Sequence, residues 1–297
     1  MNRFAFLLLV SVSLWANQVM PQEPAGTVRR GHSLDSHILG RAVPYTVYLP
    51  SQYEDSDRPF PIVFMLHGSG GNEKGLLERQ HLNLIADNLI ASGKISPMIL
   101  VMPDGASTRY LNNHDNSLRY QDFFFSEFVP QIESEYRVES NKTNRAILGV
   151  SMGGYGSLIY ALRFPGMFSA SVSIGAPICE DEIVLGLSQE QWNKSDRGPV
   201  YGLDLAGQDR FTDHYRSNDP CFMVQNVDPE LISTAGIYLA CGDDDFRNDG
   251  NAALHALMRR LSISHEYRVK DGGHTDVYFQ VALADGLIYI SEKFASP

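Results

Sequence analysis

The stretch Ala146-Ile147-Leu148-Gly149-Val150-Ser151-Met152-Gly153-Gly154-Tyr155-Gly156 places a serine between two glycines in the pattern G-x-S-x-G. Ala146 to Val150 is short, apolar and β-rich. Met152 to Phe164 has helical spacing and is stopped by Pro165. A strand, a serine and a helix in direct succession predict a sharp turn that projects the serine hydroxyl from the edge of a sheet. Glycine two residues to either side lets neighbouring backbones pack against such a strained turn. The start of the helix aims positive partial charge at the same spot. Gly154 and Gly156 further thin the helix start. The competing reading is a Gly-rich turn of structural value only, and the strand before it and helix after it argue against that.

Outward from this turn, Pro61 to Leu66 and Met98 to Met102 are unbroken apolar runs, as expected of strands buried on both faces. Val43 to Leu49 alternates and ends at Pro50. Ala170 to Ile174, Ile237 to Cys241 and His265 to Val269 read as further strands. Helical spacing covers Leu76 to Ile90, Phe123 to Tyr136 with Pro130 at a kink or first turn, Ala252 to Leu261, and Val277 to Phe294, where Gly286 is expected to interrupt. Strands alternating with helices predict a mostly parallel central sheet with helices on both faces, here the α/β-hydrolase fold over residues 41–297. Pro177 to Pro220 breaks the rhythm. It is polar and too long for a plain connection, and it reads as a cap insertion over the sheet's C-terminal edge rather than an idle surface excursion.

The chain has 297 residues, 43% hydrophobic and 20% charged, which suits one large core. A net charge of −11 disfavours nucleic acid and anionic membrane surfaces as partners. Met1-Asn2-Arg3 followed by the apolar run Phe4 to Trp15 predicts a signal peptide over residues 1–16, and so an exported protein, periplasmic or secreted, with no stable membrane insertion after processing. An N-terminal anchor or a buried helix is the competing reading. Residues 17–40 follow as a polar N-terminal segment, expected to be loose over Pro21 to Gly31. Cys179, Cys221 and Cys241 form no C-x-x-C pair, so zinc and thioredoxin chemistry have no support. Cys241 reads as a small core thiol. Cys179 and Cys221 bracket the cap, and an oxidising compartment would allow them to bridge it, at about 4 kcal/mol at most.

A serine hydroxyl needs a histidine base, and the base needs an acid to fix its tautomer. In this fold they follow the nucleophile in the order acid, then histidine. Downstream lie His214, His255, His265 and His274. His255 falls in a helix pattern, His265 begins a strand, and His214 lies in the cap. His274 follows the last strand on a glycine-rich loop, at the edge where Ser151 lies, and is the expected base. The acid belongs after the preceding strand, where Asp243, Asp244 and Asp245 are adjacent. Spacing does not separate them, and Asp271 is a further candidate. An oxyanion hole needs two backbone donors. Met152 supplies one. Ser69, in His67-Gly68-Ser69-Gly70-Gly71, is the choice for the other, with Gly68 its rival. His67 reads as a prop for this loop rather than a second base.

Taken together, Tyr45 to Pro50, Leu66-His67-Gly68, Met102-Pro103-Asp104-Gly105, Gly149 to Gly156, Cys241 to Phe246 and Gly272-Gly273-His274 resemble the putative-esterase family of the α/β-hydrolase fold. That family includes S-formylglutathione hydrolases, feruloyl and acetylxylan esterases and mycolyltransferases. The resemblance covers Tyr45 to Phe294. It implies Asp245 as the acid, with Asp243 in place of a usual threonine, His274 as the base, and Ser69 and Met152 as oxyanion donors. Many members carry a Trp after the histidine, whereas Thr275-Asp276-Val277-Tyr278 stands here, so no one subfamily's substrate carries over. The implied activity is a serine carboxylic-ester hydrolase working through an acyl-enzyme on a small acyl or aryl ester, on a sugar or thiol among the options. It would need no metal and no organic cofactor. The rival readings are an acyltransferase with the same triad and a non-catalytic binding protein on the same fold.

Overall fold

A computed structural model describes residues 25–295; the predicted signal peptide lies outside them. The chain opens with an antiparallel pair, β1 (Thr27–Ser36) and β2 (Arg41–Leu49), and continues through β3 (Ile62–Leu66), α1 (Gly75–Glu78), α2 (Leu82–Ala91) and β4 (Ile99–Pro103). Helices α3 (Tyr120–Phe123) and α4 (Val129–Glu135) lead to β5 (Arg145–Val150), α5 (Met152–Arg163) and β6 (Ala170–Ile174). Strand β7 (Gly236–Gly242), α12 (Asn248–Arg260), β8 (Glu266–Lys270) and α13 (Asp276–Ala295) complete it. Between β6 and β7 lie α6 (Asp181–Gly186), α7 (Gln189–Lys194), α8 (Arg197–Tyr201), α9 (Asp213–Ser217), α10 (Pro220–Asn226) and α11 (Pro229–Ile232). The excursion predicted at 177–220 is therefore a cluster of short helices, and it runs on past Pro220 to Ile232.

The eight strands form one sheet in the order β1-β2-β4-β3-β5-β6-β7-β8. Pairings from β4 through β8 are parallel; only β1–β2 and β2–β4 are antiparallel. Strands β3 to β6 are buried along their whole length. Alternate residues face opposite ways in a strand. On β3, Ile62, Phe64 and Leu66 join one core with Leu158 and Ile159 of α5 and the aromatic cluster Phe124, Phe128 and Tyr160, while Val63 and Met65 join the other with Leu82 and Leu283. Each fully buried Phe or Leu contributes roughly 1.5–3 kcal/mol.

Three expectations are corrected. The polar segment 17–40 contains β1, whose first half falls in the stretch expected to be loose, and β1 pairs with β2 over Thr27↔Leu49 to Ser36↔Arg41, so the sheet begins well before residue 41. Its polar sequence hides it because an edge strand needs only main-chain pairing and is half exposed; a bulge between Arg29 and His32 coincides with Gly31 at φ 77°. The helix read over Leu76 to Ile90 is two helices, broken at His81 with φ 54°. Gly286 does not interrupt α13. It is there for packing, since a Cβ would sit 2.8 Å from Val172 Cγ1 and 2.9 Å from Leu148 Cδ1. The helix around Pro130 widens to a π-turn over Phe124–Phe128, which ends two residues before Pro130, a residue that cannot supply an N–H.

Candidate active site

Ser151 sits between β5 and α5 with φ 52° and ψ −117°, a backbone region that a non-glycine residue enters only when its surroundings force it. The forcing is visible. The Ser151 N–H donates to the Ile174 carbonyl at 2.7 Å, fixing the turn to the neighbouring strand. A Cβ on Gly149 would lie 2.1 Å from the Gly153 carbonyl, and one on Gly153 would lie 2.1 Å from the Leu66 carbonyl oxygen. The G-x-S-x-G pattern is thus a close backbone contact among β5, α5 and the end of β3.

Two loops at the same sheet edge complete the arrangement. His274 Nε2 lies 3.0 Å from Ser151 Oγ, and His274 Nδ1 lies 2.8 Å from Asp245 Oδ2. The Asp245 side chain is fully buried, and its Oδ1 accepts the Arg247 N–H at 2.9 Å. A carboxylate on Nδ1 leaves Nε2 free to accept the serine proton. Gly175, at φ 56°, makes room: a Cβ there would lie 3.0 Å from Asp245 Oδ2 and 3.4 Å from His274 Cε1. Asn251, fully buried, donates to the Ala176 and Arg247 carbonyls and so ties the loop after β6 to the Asp245 loop. Buried Cys241 lies against Asp245; burial first, then that carboxylate, push its thiol far above the ordinary range, so it is an inert core thiol.

The other candidates go elsewhere. Asp243 is exposed, and its Oδ1 accepts from the Asp244 and Gly272 N–H groups, stapling the two loops together. Asp244 and Asp271 are exposed beside it. His214 contacts the Asn112 carbonyl, and His255 and His265 contact each other at 2.8 Å. His67 is a prop. Its Nδ1 lies 2.8 Å from the Gly68 carbonyl, its Nε2 accepts the Gly105 N–H at 2.8 Å, and the Tyr110 hydroxyl donates to its main-chain carbonyl.

Met152 is the first residue of α5, where a main-chain N–H has no intrahelical acceptor. The Ser69 N–H likewise donates no hydrogen bond among the described residues, and neither does Gly68. Gly68 passes so close that a Cβ would meet Ser151 Cβ at 3.3 Å. A cleft of about 350 Å³ opens over Ser151, floored by Gly68, Ser69 and Val150 and walled by Leu76, Arg79 and Gln80 on one side and Thr275, Asp276 and Phe279 on the other. No residue of 177–235 lines it.

Residues not foreseen in the sequence surround this site. Phe246, 65% exposed, packs its ring 4.8 Å from His274. Arg109, Glu180, Asp196, Arg197 and Arg247 form a largely buried charge network between the cap and the loops. Cys179 and Cys221 are joined by a disulfide with Cα atoms 5.8 Å apart, as the oxidising reading expected.

The "Putative esterase" family model matches residues 36–290. An esterase of Mycobacterium tuberculosis (Esterase Rv1288) is 28% identical over 250 residues, covering 77% of this chain and 51% of that protein. The chain spans about half the length of the curated relatives it matches first. Among solved structures, a ferulic acid esterase superposes with a TM-score of 0.77 at 28% identity over 91% of this chain and 99% of its own. An S-formylglutathione hydrolase from Staphylococcus aureus does so at 0.70 and 18% identity, over 90% and 98%.

Proposed function

The chain belongs to the putative-esterase family, and from that premise we propose that it is a serine carboxylic-ester hydrolase with Ser151 as nucleophile, His274 as general base and acid, and Asp245 as the residue that holds His274. The observation that carries the reading is the single imidazole spanning a strained serine and a fully buried carboxylate. His274 takes the Ser151 proton as Oγ attacks the ester carbonyl. The Ser69 and Met152 N–H groups receive the oxyanion. His274 returns the proton to the departing alcohol, and water, activated by the same nitrogen, releases the acid. The chemistry needs no metal or organic cofactor, and the partner is a small ester with an acyl or aryl group, carried on an alcohol, a sugar or a thiol.

A cleft of about 350 Å³ supports a substrate of that size. Export to the periplasm or the medium fits the leader pattern of residues 1–16, and the Cys179–Cys221 disulfide supports it, since such bonds persist in oxidising compartments. No helix among the described residues is long and apolar enough to cross a membrane. The test is hydrolysis of p-nitrophenyl acetate by Ser151→Ala, with circular dichroism as the folding control. Loss of turnover and of fluorophosphonate labelling is expected; a folded variant that still turns over the ester would overturn the assignment.

A further inference from the structure

The cap meets the Ser69 loop at Asp196. Asp196, between α7 and α8, has a side chain only 13% exposed, and its Oδ2 lies 3.3 Å from the hydroxyl of Ser69. Its Oδ1 accepts from Arg109 Nη1 at 3.2 Å, and Arg197 stands 3.6 Å away. Burial alone would raise this carboxyl. The charges of Arg109 and Arg197, with hydrogen bonds from Arg109 and Ser69, outweigh that and hold it below its ordinary range, so it is an anion.

A second feature points the same way. Arg109 and Tyr110 are consecutive buried residues with φ of 53° and 62°, both in the left-handed region that costs a non-glycine residue of order 1 kcal/mol or more each. Two contacts of the strained pair bear on the site. The Tyr110 hydroxyl donates to the His67 carbonyl, at the root of the oxyanion loop, and Arg109 is aimed at Asp196. Ser69 itself is exposed, on a turn closed by the Gly71 N–H to the Gly68 carbonyl. Its hydroxyl has no protein partner but Asp196 among the described residues.

We propose that Asp196 is a positioning residue: anchored by Arg109, it holds the Ser69 hydroxyl and thereby keeps the Ser69 main-chain N–H aimed at the developing oxyanion, so that the cap completes the oxyanion hole. This rests on the reading of Ser69 as an oxyanion donor. At 3.3 Å the contact is long for a hydroxyl donating to a carboxylate.

The test is a double-mutant cycle on p-nitrophenyl acetate with Ser69→Ala, Asp196→Asn and both together, each checked by thermal melting. Ser69→Ala keeps the N–H and loses only its tether. Misplacing a donor costs less than deleting one, so each single change should lower kcat about tenfold with KM within about twofold. The double variant should also fall about tenfold, because both changes break one contact. Independent roles would multiply to about a hundredfold. That multiplication, or an unchanged kcat in Ser69→Ala, overturns the proposal. Ser69→Ala decides on its own if Asp196→Asn does not fold. Ser151→Ala, run in parallel, separates the two readings: if it stays active, the hydrolase assignment fails first, and if it is dead while Ser69→Ala is normal, only the positioning role fails.

Discussion

Replacing Asp245 with asparagine removes a charge and turns one of two accepting oxygens into a donor. Both oxygens are in use: Oδ2 faces His274 Nδ1 at 2.8 Å and Oδ1 accepts the Arg247 N–H at 2.9 Å. An amide can satisfy only one of them. With its NH₂ toward His274, it forces Nδ1 to accept, moves the ring proton to Nε2 and removes the base that Ser151 needs. With its NH₂ toward Arg247, it keeps the tautomer but sets two buried donors against each other, at about 1–3 kcal/mol. It also loses the anion that stabilises the imidazolium in either case. In a triad of this geometry the change lowers kcat about 10⁴-fold, or about 5 kcal/mol. Asp243→Asn is the built-in control. Asp243 is exposed, and its two hydrogen bonds go to a single oxygen, so an amide carbonyl replaces it, and activity should stay within about twofold. Initial rates on p-nitrophenyl acetate from pH 6 to 9 decide it. A loss below about tenfold in Asp245→Asn, or a larger loss in Asp243→Asn, would refute the assignment of the acid.

Gly153→Ala should destabilise the protein by about 1–3 kcal/mol or more and abolish activity, since its Cβ would lie 2.1 Å from the Leu66 carbonyl oxygen; Gly166→Ala, with nothing within 4 Å, should change neither, and urea denaturation compares the two. Replacing both Cys179 and Cys221 with serine should cost up to about 4 kcal/mol, read from the urea midpoint without reductant, because the bond closes a loop with a sequence separation of 42. The Asp196 carboxyl is depressed in the fold, so its stabilisation is present above the ordinary aspartate value of about 3.9 and is lost as pH falls through the folded value. The thermal midpoint of the wild type should therefore drop more steeply below about pH 4 than that of Asp196→Asn.

The parts that were readable from sequence are those in which local pattern and global role coincide. Unbroken apolar runs at β3 and β4 read as strands covered on both faces, and the glycines around Ser151 read as a close backbone approach because a strand precedes them and a helix follows. His274 was separable from His255 and His265 by its place after the last strand. Choosing Asp245 over Asp243 was not possible from spacing, since the two differ only in burial and direction, which three-dimensional packing sets. Strand β1 was hidden because main-chain pairing leaves no mark on a half-exposed polar strand. Arg109 and Asp196, 87 residues apart, carry no local signal at all. Two adjacent non-glycine residues with positive φ are a property of the folded backbone, and nothing in Thr108-Arg109-Tyr110-Leu111 announces them.

The cap read over Pro177 to Pro220 does not line the cleft over Ser151, and its residues make a different kind of contact with the site. The cleft over Ser151 is walled by the α1–α2 segment and the start of α13, and these walls are locked to each other by Arg79 at 3.0 Å and Gln80 at 2.5 Å from Asp276, two residues beyond His274. A lid that only excluded water could be closed with apolar side chains. This one instead buries Arg109, Arg197 and Arg247 against Asp196 and Glu180, a set with more cations than anions. Burying ion pairs is a poor way to gain stability, since the desolvation cost offsets much of the attraction. What such a network supplies is direction: each partner has one place to be. Its two ends are Ser69, on the oxyanion loop, and Arg247, whose N–H holds Asp245. The cap thus holds the Ser69 loop through Asp196 and the Asp245 loop through Glu180 and Arg247, while the cleft over Ser151 is lined from residues 67–80, 150–151 and 274–279.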